Sequence, residues 1–143
     1  MQLALLEAHA AAARDEVPVG AVVVGPDGSV LATAGNETRA LCDPTAHAEV
    51  LVIRRAAEKL RDERLTGCDL YVTLEPCAMC AAAISLARIR RLYFAASDPK
   101  GGGVVHGARV FNQPTCHHTP EIYDGLEEDA ASDLLKTFFA ARR

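Results

Sequence analysis

The pair of segments His47-Ala48-Glu49 and Pro76-Cys77-Ala78-Met79-Cys80 constrains the fold more than any other feature of the chain. One imidazole and two thiolates can hold a zinc ion, one per chain, and leave a coordination place open. That is the arrangement of a catalyst, whereas a structural site normally closes with four protein ligands. The Glu49 carboxylate, two residues after the histidine, is the group suited to moving protons at the open place. For this to work the fold must bring the starts of two helices together. Residues i and i+2 of a mature helix point roughly 200° apart. His47 and Glu49 therefore converge only if His47 stands at the very start of its helix. Cys77 and Cys80, at i and i+3, share one face of a first turn. Helix N-termini lower thiol pKa values, which suits ligands that bind as thiolates.

The rest of the chain reads as a frame for such a junction. Leu3, Leu6, Ala10 and Ala13 fall on one stripe and predict an amphipathic helix over residues 2–14. Gly20–Val24 and Val30–Ala34 flank the turn residues Gly25-Pro26-Asp27-Gly28, which predicts a β-hairpin. Asp43-Pro44 reads as an N-cap with Pro at the first helical position, so a helix is expected over 45–60. Asp69–Leu74 is the next strand, Pro76 opens a helix to 87, and Arg91–Ala95 is another strand. Residues 97–120, rich in Gly and Pro, are expected to be mostly loop with a short helix. Glu121–Tyr123 reads as a short last strand. The pairs Leu134/Phe138 and Leu135/Phe139 mark a final helix. Strands alternating with helices imply a layered α/β fold with the sheet in the middle. No repeat, low-complexity segment or second domain is visible, so residues 1–143 are expected to form one domain.

Half of the 143 residues are hydrophobic, enough for a real core. Glu7 and His9 interrupt the first apolar run, no basic region precedes it, and no stretch approaches the roughly 20 apolar residues of a membrane span. The expected address is the cytoplasm, with no membrane partner. There the five cysteines stay thiols. Cys42, Cys68 and Cys116 then read as small buried or half-buried side chains. A net charge of −4 does not by itself predict a nucleic-acid binder, and no DNA partner is expected. Basic residues nevertheless cluster at Arg54–Arg64, at Arg88–Arg91 and at Arg142-Arg143.

Alone, C-x-x-C after a strand also fits a thioredoxin-like redox pair. Its combination with H-x-E in one small chain is instead the signature of zinc deaminases of nucleobases. On these motifs the chain resembles the bacterial tRNA-specific adenosine deaminases of the cytidine-deaminase-like superfamily. The resemblance is carried by Asp15–Val22, Gly35-Asn36, Asp43–Glu49, Leu70–Cys80, Asp98–Gly101 and Phe138–Arg143. Guanine deaminases share the wording around His47 but differ at Glu16–Val22 and Thr73–Cys80.

The resemblance implies a three-layer α/β/α sandwich around a five-stranded mixed sheet, and a homodimer. It implies conversion of the wobble adenosine in the anticodon loop of an arginine tRNA to inosine. Carried over residue by residue, His47, Cys77 and Cys80 ligate zinc and Glu49 shuttles protons. Asn36 hydrogen-bonds the flipped base, Val17 and Pro18 line its pocket, and the Ala48 backbone touches its edge. Asp98 meets the neighbouring nucleotide, and His118 and Phe139 flank the RNA. Two other functions are compatible with the residues. One is deamination of a free base or nucleoside such as guanine, cytosine or cytidine. The other is a non-catalytic zinc scaffold, which requires a fourth ligand from Cys42, Cys68, Cys116, His106, His117 or His118.

Overall fold

A computed structural model describes residues 1–143. Five strands form one mixed sheet in the order β2-β1-β3-β4-β5, with β1 Gly20–Val24, β2 Val30–Gly35, β3 Asp69–Leu74, β4 Arg91–Ala96 and β5 Glu121–Asp124. β1 runs antiparallel to β2 and β3, while β3, β4 and β5 are mutually parallel. Four helices cover it: α1 Gln2–Ala13, α2 Ala48–Leu60, α3 Ala78–Leu86 and α4 Glu128–Ala140. α1 and α4 touch one another, as do α2 and α3. The result is the expected three-layer α/β/α sandwich.

Local chemistry explains the elements. β1 is apolar along its length and buried at four of its five positions, as a strand covered on both faces must be. Its hairpin turn is closed by Asp27, whose Oδ1 accepts the Ser29 N–H at 3.0 Å. The principal core joins Val23, Val52, Leu70, Ile84, Leu92 and Phe94, contributed by both the sheet and the α2–α3 layer. Tyr71, Tyr93 and Tyr123 are direct partners across β3, β4 and β5. Their rings stack at 4.5 and 5.1 Å between centroids. No helix is long and apolar enough to cross a membrane.

Most expected elements fall within one or two residues of their observed bounds. The exception is α2. Asp43 does not cap it: its Oδ1 accepts the N–H of Thr45 at 2.8 Å in a local turn, and the helix starts at Ala48. Because β2 runs parallel to β3, the C-terminal ends of β2, β3 and β4 meet at one end of the sheet. That is the end where open α/β sheets place their ligands.

Candidate metal centre and active site

His47 is the N-cap of α2 and Cys77 the N-cap of α3, both in extended conformation. Cys80 lies one turn into α3. The two helix starts therefore converge. The Cys77 and Cys80 Sγ atoms stand 3.7 and 3.5 Å from His47 Nδ1. A tetrahedral ion with ordinary zinc–sulfur and zinc–nitrogen bonds sets such pairs about 3.6 Å apart. These three side chains are the cluster whose ligand atoms lie close enough to share one ion. The hydrogen bond from Cys80 draws Cys77 down to about 4, against burial and with help from His47. The same bond, together with burial, pushes Cys80 up. Two sulfurs and a nitrogen so arranged fit zinc.

The fourth ligand that a scaffold would need is not there. His106 Nδ1 is taken by Glu75 at 2.8 Å. Cys116 Sγ lies against Ser85 and the His118 carbonyl. Cys68 is buried in the core, and Cys42 and His117 lie on the surface.

Glu49 is buried in the first turn of α2 and faces the same cavity as His47 and Cys77. Burial raises its carboxyl to about 7, opposed by its own backbone N–H and by His47. The cavity is about 310 Å³ and is bounded by Val17, Val19, Asn36, Thr38, Leu74 and Asp98 as well. That is room for one small ligand at the low end of ordinary pockets. Asp98 and Gly101 also line a second, more open cleft of about 660 Å³, shared with Lys100, Phe139, Arg142 and Arg143.

Several residues stand elsewhere than the resemblance implied. Pro18 is buried, and Val19 takes its expected place in the cavity wall beside Val17. Ala48 does not line the cavity: it is fully buried and its N–H donates to Asn36 Oδ1 at 2.8 Å. Since Ala48 N–H can only donate, that bond fixes the Asn36 amide with its NH₂ as the free end. The Asn36 NH₂ is thus the end free to donate into the cavity. His118 sits at the far end of α3 from the thiols, its Nε2–H donating to Ile89 O at 2.7 Å. Its backbone carbonyl accepts from Ser85 there. Arg142 is already engaged: its guanidinium lies over the Phe138 ring, donates to the Phe138 carbonyl and pairs with Asp15. Lys100 and Arg143 make no such ties.

Two buried acids were not singled out from the sequence. Glu16 accepts the N–H groups of Arg39 and Ala40 and the Thr38 hydroxyl, so it holds the loop behind one cavity wall. Burial opposes its charge, but those donors outweigh it and keep the carboxyl below its usual range. Glu75 does the same for the opposite wall, around Asp98. For Glu75, an acid between an apolar strand and the cysteine motif is the only local sign; Glu16, behind Arg14-Asp15, gives none.

Known proteins share this fold. Residues 1–96 match the cytidine and deoxycytidylate deaminase zinc-binding region. A tRNA-specific adenosine deaminase of Agrobacterium fabrum is 62% identical over 143 residues, covering 100% of this chain and 93% of that protein. A solved tRNA:A34 deaminase, studied for A-to-I editing at the wobble position of transfer RNA, superposes with a TM-score of 0.93 at 64% identity, covering 94% of this chain and 97% of that one. A guanine deaminase of Nitrosomonas europaea gives a TM-score of 0.84 at 25% identity, covering 97% and 82%. The chain is a hydrolytic deaminase of the zinc-binding cytidine and deoxycytidylate deaminase family, and belongs to its branch of tRNA-specific adenosine deaminases.

Proposed function

We propose that this chain converts the wobble adenosine of an arginine tRNA to inosine. The carrying observation is the shape of the site. A cavity sized for one base is lined by Glu49, His47 and Cys77, with Cys80 buried beside the last two, and it opens past Asp98 into a cleft with Lys100, Phe139 and Arg143. A free base would need only the inner cavity. The outer cleft suits the backbone and bases on either side of a flipped nucleotide, which basic and aromatic groups bind. An anticodon loop is already largely unpaired, which lowers the cost of extruding its base. The Agrobacterium and wobble-position relatives support the same substrate.

In this reading residues 1–143 form one catalytic domain. His47, Cys77 and Cys80 hold zinc, which supplies Lewis acidity that brings the pKa of water from about 16 to about 7. Glu49 takes up a proton from the attacking water and delivers it to the ring nitrogen beside the amino-bearing carbon. It then takes the second proton from the newly added hydroxyl and delivers it to the leaving amine, so that the C–N bond breaks as the C=O bond forms, water is consumed and ammonia is released. Its buried carboxyl, with proton affinity near neutrality, suits transfer in both directions. The Asn36 NH₂ donates to an acceptor on the base, while Val17, Val19 and Leu74 exclude water around the ring.

The test is incubation of the protein with arginine tRNA, or its anticodon stem-loop, followed by detection of inosine at the wobble base. Turnover of free guanine or cytosine with the RNA left untouched overturns the proposal. Lys100 and Arg143 are the free cations of the cleft. Replacing each by Ala is expected to flatten the slope of log affinity against log salt by about 0.7 for each phosphate left without its cation. Arg142→Ala should instead lower the melting temperature. An unchanged slope in the Lys100 and Arg143 variants removes them from the RNA footprint.

We further propose a cytoplasmic homodimer. Leu86 is 77% exposed, between depressions lined by Val110 and Cys116 on one side and by Val50, Ile53 and Ala83 on the other. So large an exposed apolar residue among apolar neighbours marks an interface. Leu86→Glu is expected to give a monomer in sedimentation equilibrium. A mass equal to that of the wild type excludes this face.

A further inference from the structure

We propose that Glu75 is a positioning residue for substrate, joining the turn that carries Cys77 to the wall that carries Asp98. The inference rests on the reading above, in which Asp98 faces the bound nucleotide. The Glu75 side chain is fully buried. Its Oε1 accepts the Asp98 N–H at 3.1 Å and His106 Nδ1–H at 2.8 Å. Its Oε2 accepts three consecutive N–H groups, those of Val104, Val105 and His106, at 3.2–3.3 Å. Five donors thus converge on two oxygens. Glu75 directly precedes Pro76-Cys77, and the Pro76 carbonyl accepts the Gly103 N–H at 2.8 Å.

The loop lies directly on the start of α3. A Cβ at Gly103 would stand 2.5 Å from the Ala78 nitrogen, and one at Gly102 would strike the Glu75 carboxylate. Only glycines permit that approach. Asp98 is the residue this arrangement presents. Its Oδ1 accepts the N–H groups of Lys100 and Gly101 at 3.1 and 3.0 Å. Oδ2 is left to face a ligand, at the passage between the inner cavity and the outer cleft. The carboxylate stands where the Asp98 backbone puts it, and Glu75 holds that backbone.

Glu75→Gln separates the roles. The amide keeps one acceptor for the three consecutive N–H groups. Its NH₂ turns to His106 Nδ1, which can accept as the other tautomer, and the Asp98 N–H loses its partner. The experiment is steady-state inosine formation on the anticodon stem-loop, with zinc content and thermal melting measured alongside. Glu75→Gln is expected to retain one zinc per chain, raise KM about tenfold and leave kcat within about threefold. In an Asp98→Asn background the same change is expected to add less than about twofold to KM, because the two residues act as one unit. His106→Ala spares the Asp98 bond and is expected to hold KM within about twofold of wild type.

Loss of zinc, a fall in kcat at unchanged KM, or full additivity with Asp98→Asn overturns the proposal. If Glu75→Gln does not melt cooperatively, Glu75→Asp carries the same test, since it keeps the charge but withdraws it by one methylene. Failure of the RNA reading shows separately, in the wild-type protein. The KM split is then measured on the free base it accepts, and an unchanged KM there overturns the role of Glu75.

Discussion

Replacing Glu49 by Ala is expected to abolish turnover, by about 10³-fold or more, while the protein keeps its fold and one zinc per chain. The size of the effect follows from the position of the carboxyl. It is buried, it faces the cavity rather than the protein surface, and it is not one of the three side chains grouped as ligands. No other buried acid can substitute, because Glu16 and Glu75 are occupied by backbone and side-chain donors and Asp69 is paired with Arg90. A buried ionisable group gives little to stability, so the melting temperature should stay level or rise. Glu49→Gln keeps the shape without the proton affinity and should behave alike. The measurements are inosine formation, metal content and calorimetry on the same preparation. Normal turnover by either variant would remove Glu49 from the chemistry.

The second large effect concerns the metal. Cys77→Ala is expected to lose stoichiometric zinc and, with it, stability. An ion that binds only the folded chain stabilises it by about 4 kcal/mol at a thousandfold excess over its dissociation constant. For a chain of this length that is a drop of roughly 10 °C in melting temperature. Here the ligands come from the starts of α2 and α3, so the ion joins two elements that otherwise meet through side-chain packing. A chelator should lower the wild-type transition by the same amount and leave the variant where it is. Zinc retained at one per chain in Cys77→Ala counts against the ligand set.

The strands and the clustering of His47, Cys77 and Cys80 are legible because their signals are local. β-branched runs, turn residues and the i, i+3 spacing of Cys77 and Cys80 need no knowledge of distant segments. The start of α2 was misread for the complementary reason. Asp43-Pro44 has the chemistry of a cap, but Asp43 spends it on Thr45, and the first N–H of the helix is satisfied by Asn36 from the end of β2. Tertiary structure supplies what the local pattern only imitated. Glu16 and Glu75 escaped notice likewise, since their donors lie more than twenty residues away. His118 has a sequence neighbourhood that resembles the RNA-flanking loop, yet its ring is anchored to Ile89. Phe139 stays exposed at the outer cleft while Phe138 takes the core position, so one of two adjacent rings was free for a ligand.

The tyrosine stack on β3, β4 and β5 also makes the chain its own optical probe. With three tyrosines, all in that stack, and no tryptophan, the near-ultraviolet dichroism of the protein arises largely from one exciton-coupled ladder. Its loss on titration with denaturant would report the parting of the three parallel strands, separately from melting of the helices seen in the far ultraviolet.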